Sequence, residues 1–152
     1  MKQTVRFFVL AASLCLLTAA PAWSQIYQAK QSFSAPPSQD EFSVFSSITK
    51  YLAAGDVNSL SSWFADNLDV TVISSSRNCS RNQARQILRT FFRSYTPRSF
   101  EITHKASDAN KKYMIGLLNA GGELFQVTIY ATSSGGDTYK IQQLNISRQT
   151  AY

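Results

Sequence analysis

The stretch from Cys79 to Pro97, CSRNQARQILRTFFRSYTP, constrains the fold of this 152-residue chain more than any other. Ser80 followed three residues later by Gln83 is a capping-box start, and Pro97, two residues past Tyr95, is a stop signal. The spacing between them predicts a helix. Ala84, Ile87, Leu88, Phe91, Phe92 and Tyr95 recur at i, i+3, i+4 and i+7, which gathers them into one apolar stripe. Two adjacent phenylalanines and two branched aliphatics demand a broad surface to cover them. Arg81, Arg85, Arg89 and Arg93 follow a four-residue step from the edge of the stripe to the opposite side, and that basic face is expected to lie in water.

The chain starts with the features of an export leader: Lys2 and Arg6, then an apolar run from Phe7 to Ala20, then the small-x-small site Ala22-Trp23-Ser24. Residues 1–24 are therefore expected to be removed, leaving a periplasmic or extracellular protein. The apolar run is too short to span a bilayer comfortably and no second one follows, so no retained membrane anchor is expected. The remainder suits one domain with a single core. Cleavage would take Cys15 and leave Cys79, so no intramolecular disulfide is expected to staple the fold. Charge is unevenly distributed: no acid lies between Asp69 and Glu101, whereas Arg77, Arg81, Arg85, Arg89, Arg93 and Arg98 all do.

Residues 25–37 read as an irregular lead-in ending in Pro36-Pro37. Ser38 and Glu41 form a second capping box, and Phe42, Phe45, Ile48 and Leu52 continue it as a helix that Gly55 closes. Asp56 caps a short second helix with Val57, Leu60, Trp63 and Phe64 inside. Leu68 to Val72 alternates as a strand, and the serine-rich 74–78 reads as the approach to the central helix. Beyond Pro97 only strands are predicted. Phe100, Ile102 and His104 share a face of the first, ASDANKK is a turn, Tyr113 to Leu118 is apolar, Gly121-Gly122 is a tight connection and Leu124 to Thr132 is β-prone. Tyr139 and Ile141 are out of phase with Leu144 and Ile146, which a bulge at Gln142-Gln143 would correct. The order is α-α-β-α-β-β-β-β, an α+β fold with a single domain over 38–148 and a tail at 149–152.

The runs CSRNQARQILRTFF, SFEITHK, YMIGLLNAGGELFQVTIY and IQQLNIS resemble the exported bacterial family known as domain of unknown function 4783. That family is similar to the nuclear-transport-factor-2-like, or cystatin-like, superfamily. The likeness spans roughly Glu41 to Ser147; Cys79 and Ala106 depart from its pattern. It implies a cone-like, curved antiparallel sheet wrapped on the long helix with two helices before it. It implies no activity, because such folds host enzymes, carriers and scaffolds alike.

Few residues offer chemistry. His104, the one histidine, is in phase with Phe100 and Ile102 and is expected at the interior or mouth of the sheet. It is the candidate general base, but no carboxylate is placed to orient it, and a structural histidine is preferred. Asp69, Glu101 and Glu123 fall mostly out of phase with the apolar face, so a ketosteroid-isomerase-like acid constellation is absent. Cys79 sits beside the helix start and two arginines, a setting that lowers a thiol pKa; packing as a hydrophobic staple on Ala84 is preferred. One histidine and one cysteine far apart give no metal ligand set, and no cofactor is indicated.

Candidate pocket residues are Phe91, Tyr95, Phe100, His104, Tyr113, Phe125 and Tyr130; Arg81, Arg85, Arg89 and Arg93 form a candidate surface for an anion or partner. Nucleic acid is disfavoured, because no stacking aromatics interleave the arginines. The expected function is a non-enzymatic binding module holding an apolar small ligand or protein partner on the curved sheet. The alternatives are a small isomerase, lyase or hydrolase using His104 with Tyr95 or Tyr113, and a homodimeric scaffold through the open sheet face.

Overall fold

The computed structural model describes residues 42–133, 135–136 and 138–150. The leader over 1–24, the lead-in 25–37 and the Ser38/Glu41 capping box lie outside the described residues. Three helices, α1 (Ser43–Ala54), α2 (Val57–Ser61) and α3 (Arg81–Ser94), combine with six strands. These are β1 (Phe64–Val72), β2 (Ser75–Ser80), β3 (Pro97–Asp108), β4 (Lys111–Ala120), β5 (Glu123–Ser133) and β6 (Tyr139–Arg148). They form one curved sheet in the order β2-β1-β6-β5-β4-β3, antiparallel except where β1 runs parallel to β6.

The capping box at the start of α3 is present on both sides. The Ser80 side chain accepts from the Gln83 backbone, and Gln83 Oε1 accepts from the Ser80 amide at 2.9 Å. Ala84, Leu88, Phe91 and Phe92 are its buried face. Phe91, Tyr95 and Phe125 form a compact aromatic cluster with ring centroids 5.0 to 5.2 Å apart, so the helix ridge meets the sheet at β5. Gly55 ends α1 in the left-handed conformation (φ 66°), its amide donating to Leu52 O. Asp56 caps α2 by accepting from the Ser59 amide and hydroxyl at 3.1 and 2.6 Å. Phe64 opens β1 instead of closing α2.

The predicted bulge on β6 is present. Tyr130 pairs with Gln143 and Ala131 with Ile141, so Gln142 is the extra residue and Ile141, Leu144 and Ile146 are all buried. Gly121 and Gly122, with φ of 61° and 83°, form the two-residue turn joining β4 to β5.

Three expectations require correction. The serine-rich 74–78 lies largely in a sixth strand, β2, which pairs antiparallel with β1 along its whole length. Its side chains are polar and its two-residue turn is Ile73-Ser74, with Ile73 at φ 59°, so neither apolar alternation nor Asn-Gly chemistry announces the hairpin. The turn expected across ASDANKK shrinks to Ala109-Asn110, because Asp108 pairs with Lys111. Lys112 consequently sits on the buried face, 5% exposed, its ammonium 4.7 Å from the Tyr139 ring centre. Finally, the pairing of β3 with β4 shifts between Ile102 and His104. Phe100 and Ile102 pack against the core, but the shift leaves His104 exposed on the outer face.

Candidate functional site

The inner face of the sheet, covered by the helices, is filled over most of its area. Met114, Leu118, Phe125, Val127, Ile129, Leu144 and Ile146 are fully buried. The exception is one flank of α3, where the β1–β2 hairpin stands away from the helix. A cleft of about 380 Å³ opens there, walled by Val70, Val72, Ile73, Ser75 and Arg77 of the hairpin and by Ile87, Thr90, Phe91, Ser94 and Tyr95 on the α3 side. It continues at Arg77 and Ile87 into a wider, more polar recess of about 730 Å³ bordered by Asn78, Cys79, Asn82, Gln83 and Gln86. Arg77 is directly opposite Val70 in the β1–β2 ladder and so shares its inner face.

Several polar groups around the cleft are already engaged. Thr90 and Ser94 hydroxyls donate to helix carbonyls one turn back, those of Gln86 and Thr90. The Tyr95 phenol accepts from Arg148 at 2.7 Å, and Arg148 also pairs with Glu123. The Arg77 guanidinium has no hydrogen bond or ion pair among the described residues. Asp69 points to the other face, where it accepts from Asn78 Nδ2 at 2.8 Å.

The pocket candidates are split by the sheet. Phe91 and Tyr95 reach the cleft wall, while Phe125 is buried beneath them. Phe100 packs over Gly116 of β4. His104, Tyr113 and Tyr130 lie on the outer face as one aromatic row: His104 and Tyr113 centroids are 6.0 Å apart, Tyr113 and Tyr130 4.7 Å. Burial pushes the Tyr113 phenol up, with Tyr130 adding to the effect. Among the described residues no carboxylate bonds His104, and Tyr95 is on the opposite side of the sheet from it, so His104 and Tyr95 are not brought together.

The arginines of α3 are not one uniformly wet row. Arg81 bonds Asp66 at 2.8 Å and the Phe64 carbonyl at 3.2 Å, tying the start of α3 to β1. Arg89 donates to the Asn58 side chain, tying α3 to α2. Arg85 is half-buried, and only Arg93 is exposed. Cys79 is buried, and burial, reinforced by the Asp69 charge against the opposing pull of Arg77, pushes its thiol up. Burial thus opposes the lowering that a helix start and neighbouring arginines favour, in keeping with the preferred reading of Cys79 as a packed side chain.

Val70, Val72, Ile73, Arg77 and Ile87 were not singled out as pocket residues from sequence. One signal did point to them: every residue lining the cleft and its recess falls between Val70 and Tyr95, within the stretch that lacks acids.

Residues 45–147 match the family model described as domain of unknown function (DUF4783). The chain belongs to the DUF4783 family. A DUF4783 protein from Bacteroides uniformis has a similar crystal structure, with a TM-score of 0.66 at 19% identity over 70% of this chain and 97% of that one. An NTF2-like family protein from Streptomyces avermitilis gives a TM-score of 0.56 at 15% identity, over 70% and 91% of the two chains. A cystatin-like domain from Nostoc punctiforme gives 0.56 at 11% identity, over 70% and 74%. No curated protein shows significant similarity. At these identities the neighbours establish the fold of this DUF4783 member, which is the NTF2-like and cystatin-like α+β fold.

Proposed function

We propose that this DUF4783 protein is an exported, non-enzymatic binding module that holds an apolar small ligand in the cleft between α3 and the β1–β2 hairpin. The observation that carries the reading is a concave apolar wall of Val70, Val72, Ile73, Ile87 and Phe91 beside a densely packed core. A volume of about 380 Å³ lies within the range of small-molecule sites. An enzyme reading needs titratable groups that converge on such a wall, and the groups here diverge: His104 is on the outer face and Cys79 is buried, with burial pushing its thiol up.

Titration with the neutral fluorophore N-phenyl-1-naphthylamine tests the proposal. Saturable enhancement is expected for the wild type and is expected to vanish in Ile87→Asp, which places a charge on the cleft wall, while Ile115→Asp on the outer face retains it. Absence of enhancement in the wild type, or equal loss in both variants, overturns the reading.

A second reading, a homodimer through the outer face of the sheet, is favoured by a separate observation. Leu124 and Tyr130, 48% and 42% exposed, lie on that face, with Tyr113 beside Tyr130.

A further inference from the structure

Resting on the cleft reading above, we infer that the ligand is an amphipathic monoanion, an apolar body bearing one carboxylate or similar head, and that Arg77 receives the head. The two compartments divide by chemistry. The inner one is walled mainly by Val70, Val72, Ile73, Ile87 and Phe91, and the outer one by side-chain amides, with Arg77 standing at the junction. A purely apolar ligand would match the inner part alone and leave the Arg77 guanidinium and the Asn82 and Gln86 amides beside it without use. A head group at the junction would use them.

Charge complementarity fixes the sign of that head. No Asp or Glu lines either compartment, and the same stretch carries Arg77, Arg81, Arg85, Arg89 and Arg93. Of these cations, Arg77 alone lines both compartments, and it is free of hydrogen-bond and ion-pair partners among the described residues. Arg81 is taken by Asp66 and Arg89 by Asn58. At the far end of the cleft, the Thr90 and Ser94 hydroxyls donate to helix carbonyls and the Tyr95 phenol oxygen accepts from Arg148. A head group finds an unpaired cation at the hairpin end, and a guanidinium fork matches a carboxylate by two parallel hydrogen bonds.

Calorimetric titration of the purified protein with dodecanoate and with dodecan-1-ol, both below micelle formation, tests the assignment. Dodecanoate is expected to bind about tenfold more tightly than the alcohol, the scale of one hydrogen-bonded charge. Arg77→Gln is expected to remove that preference without changing the alcohol's affinity, and Arg93→Gln, outside the cleft, to preserve it. Equal wild-type affinities for the two probes overturn the anionic head and leave the apolar cleft standing. A loss in Arg93→Gln as large as in Arg77→Gln overturns the role of Arg77 in favour of the general field. Binding of neither probe overturns this inference together with the cleft reading.

Discussion

Gly116 carries a constraint that only its surroundings reveal. It sits in the middle of β4 where Phe100 of β3 lies across it, and an added Cβ would come within 2.7 Å of the Glu101 carbonyl. Backbone cannot yield as a side-chain tip can. Gly116→Val is therefore expected to lower stability by about 2 kcal/mol or more, read as a reduced midpoint in urea with unchanged slope. Asp56 illustrates a different residue-scale effect. The hydroxyl and amide of Ser59 hold its carboxyl below the usual carboxylate range. Because the folded-state pKa is the lower one, the stabilisation is fully present above about pH 4 and fades as pH falls through the folded value. Asp56→Ala should melt below wild type at pH 7, and the gap should close on acidification; a gap that widens at low pH would contradict the cap.

At the scale of elements, β6 depends on one residue. Gln142 is the bulge that brings Ile141, Leu144 and Ile146 to one face, and a side-chain period of two means that removing it turns the last two outward. Deletion of Gln142 is expected to abolish cooperative thermal unfolding, while Gln142→Thr is expected to fold with near wild-type stability. The β1–β2 hairpin poses the opposite case, an element whose turn resists its own geometry. Ile73 is β-branched and occupies φ 59°, a conformation costly for any residue with a Cβ, yet its side chain walls the cleft. Replacing Ile73-Ser74 by Asn-Gly is expected to raise stability by about 1 kcal/mol and to weaken N-phenyl-1-naphthylamine binding. Higher stability with unaltered binding would remove Ile73 from the site.

For the molecule as a whole, the sheet has two faces with different work. The inner face carries the core and, along one flank of α3, the cleft; the outer face carries the His104, Tyr113 and Tyr130 row. If the outer face joins two copies, Leu124→Lys with Tyr130→Lys is expected to convert a dimer to a monomer in analytical ultracentrifugation. Stability of the protomer should move by about 0.5 kcal/mol or less, because both positions are exposed. A wild type that sediments as a monomer at tens of micromolar would end that reading.

The order of elements after Pro97, the capped central helix, the Phe91-Phe92 ridge and the β6 bulge were all legible in the chain itself. Each rests on local physics: helical or strand periodicity, a side chain that caps its own backbone, a phase break that only an extra residue repairs. The hairpin strand β2, the outward turn of His104 and the burial of Lys112 were not legible, because each is decided by the register of cross-strand pairing, which the side-chain pattern of one strand does not record. A polar strand held by backbone hydrogen bonds leaves no hydrophobic signature. The cleft belongs with these. Its walls are near neighbours in sequence, but the space between them exists only because the β1–β2 hairpin, anchored through β1 to β6, stands clear of α3.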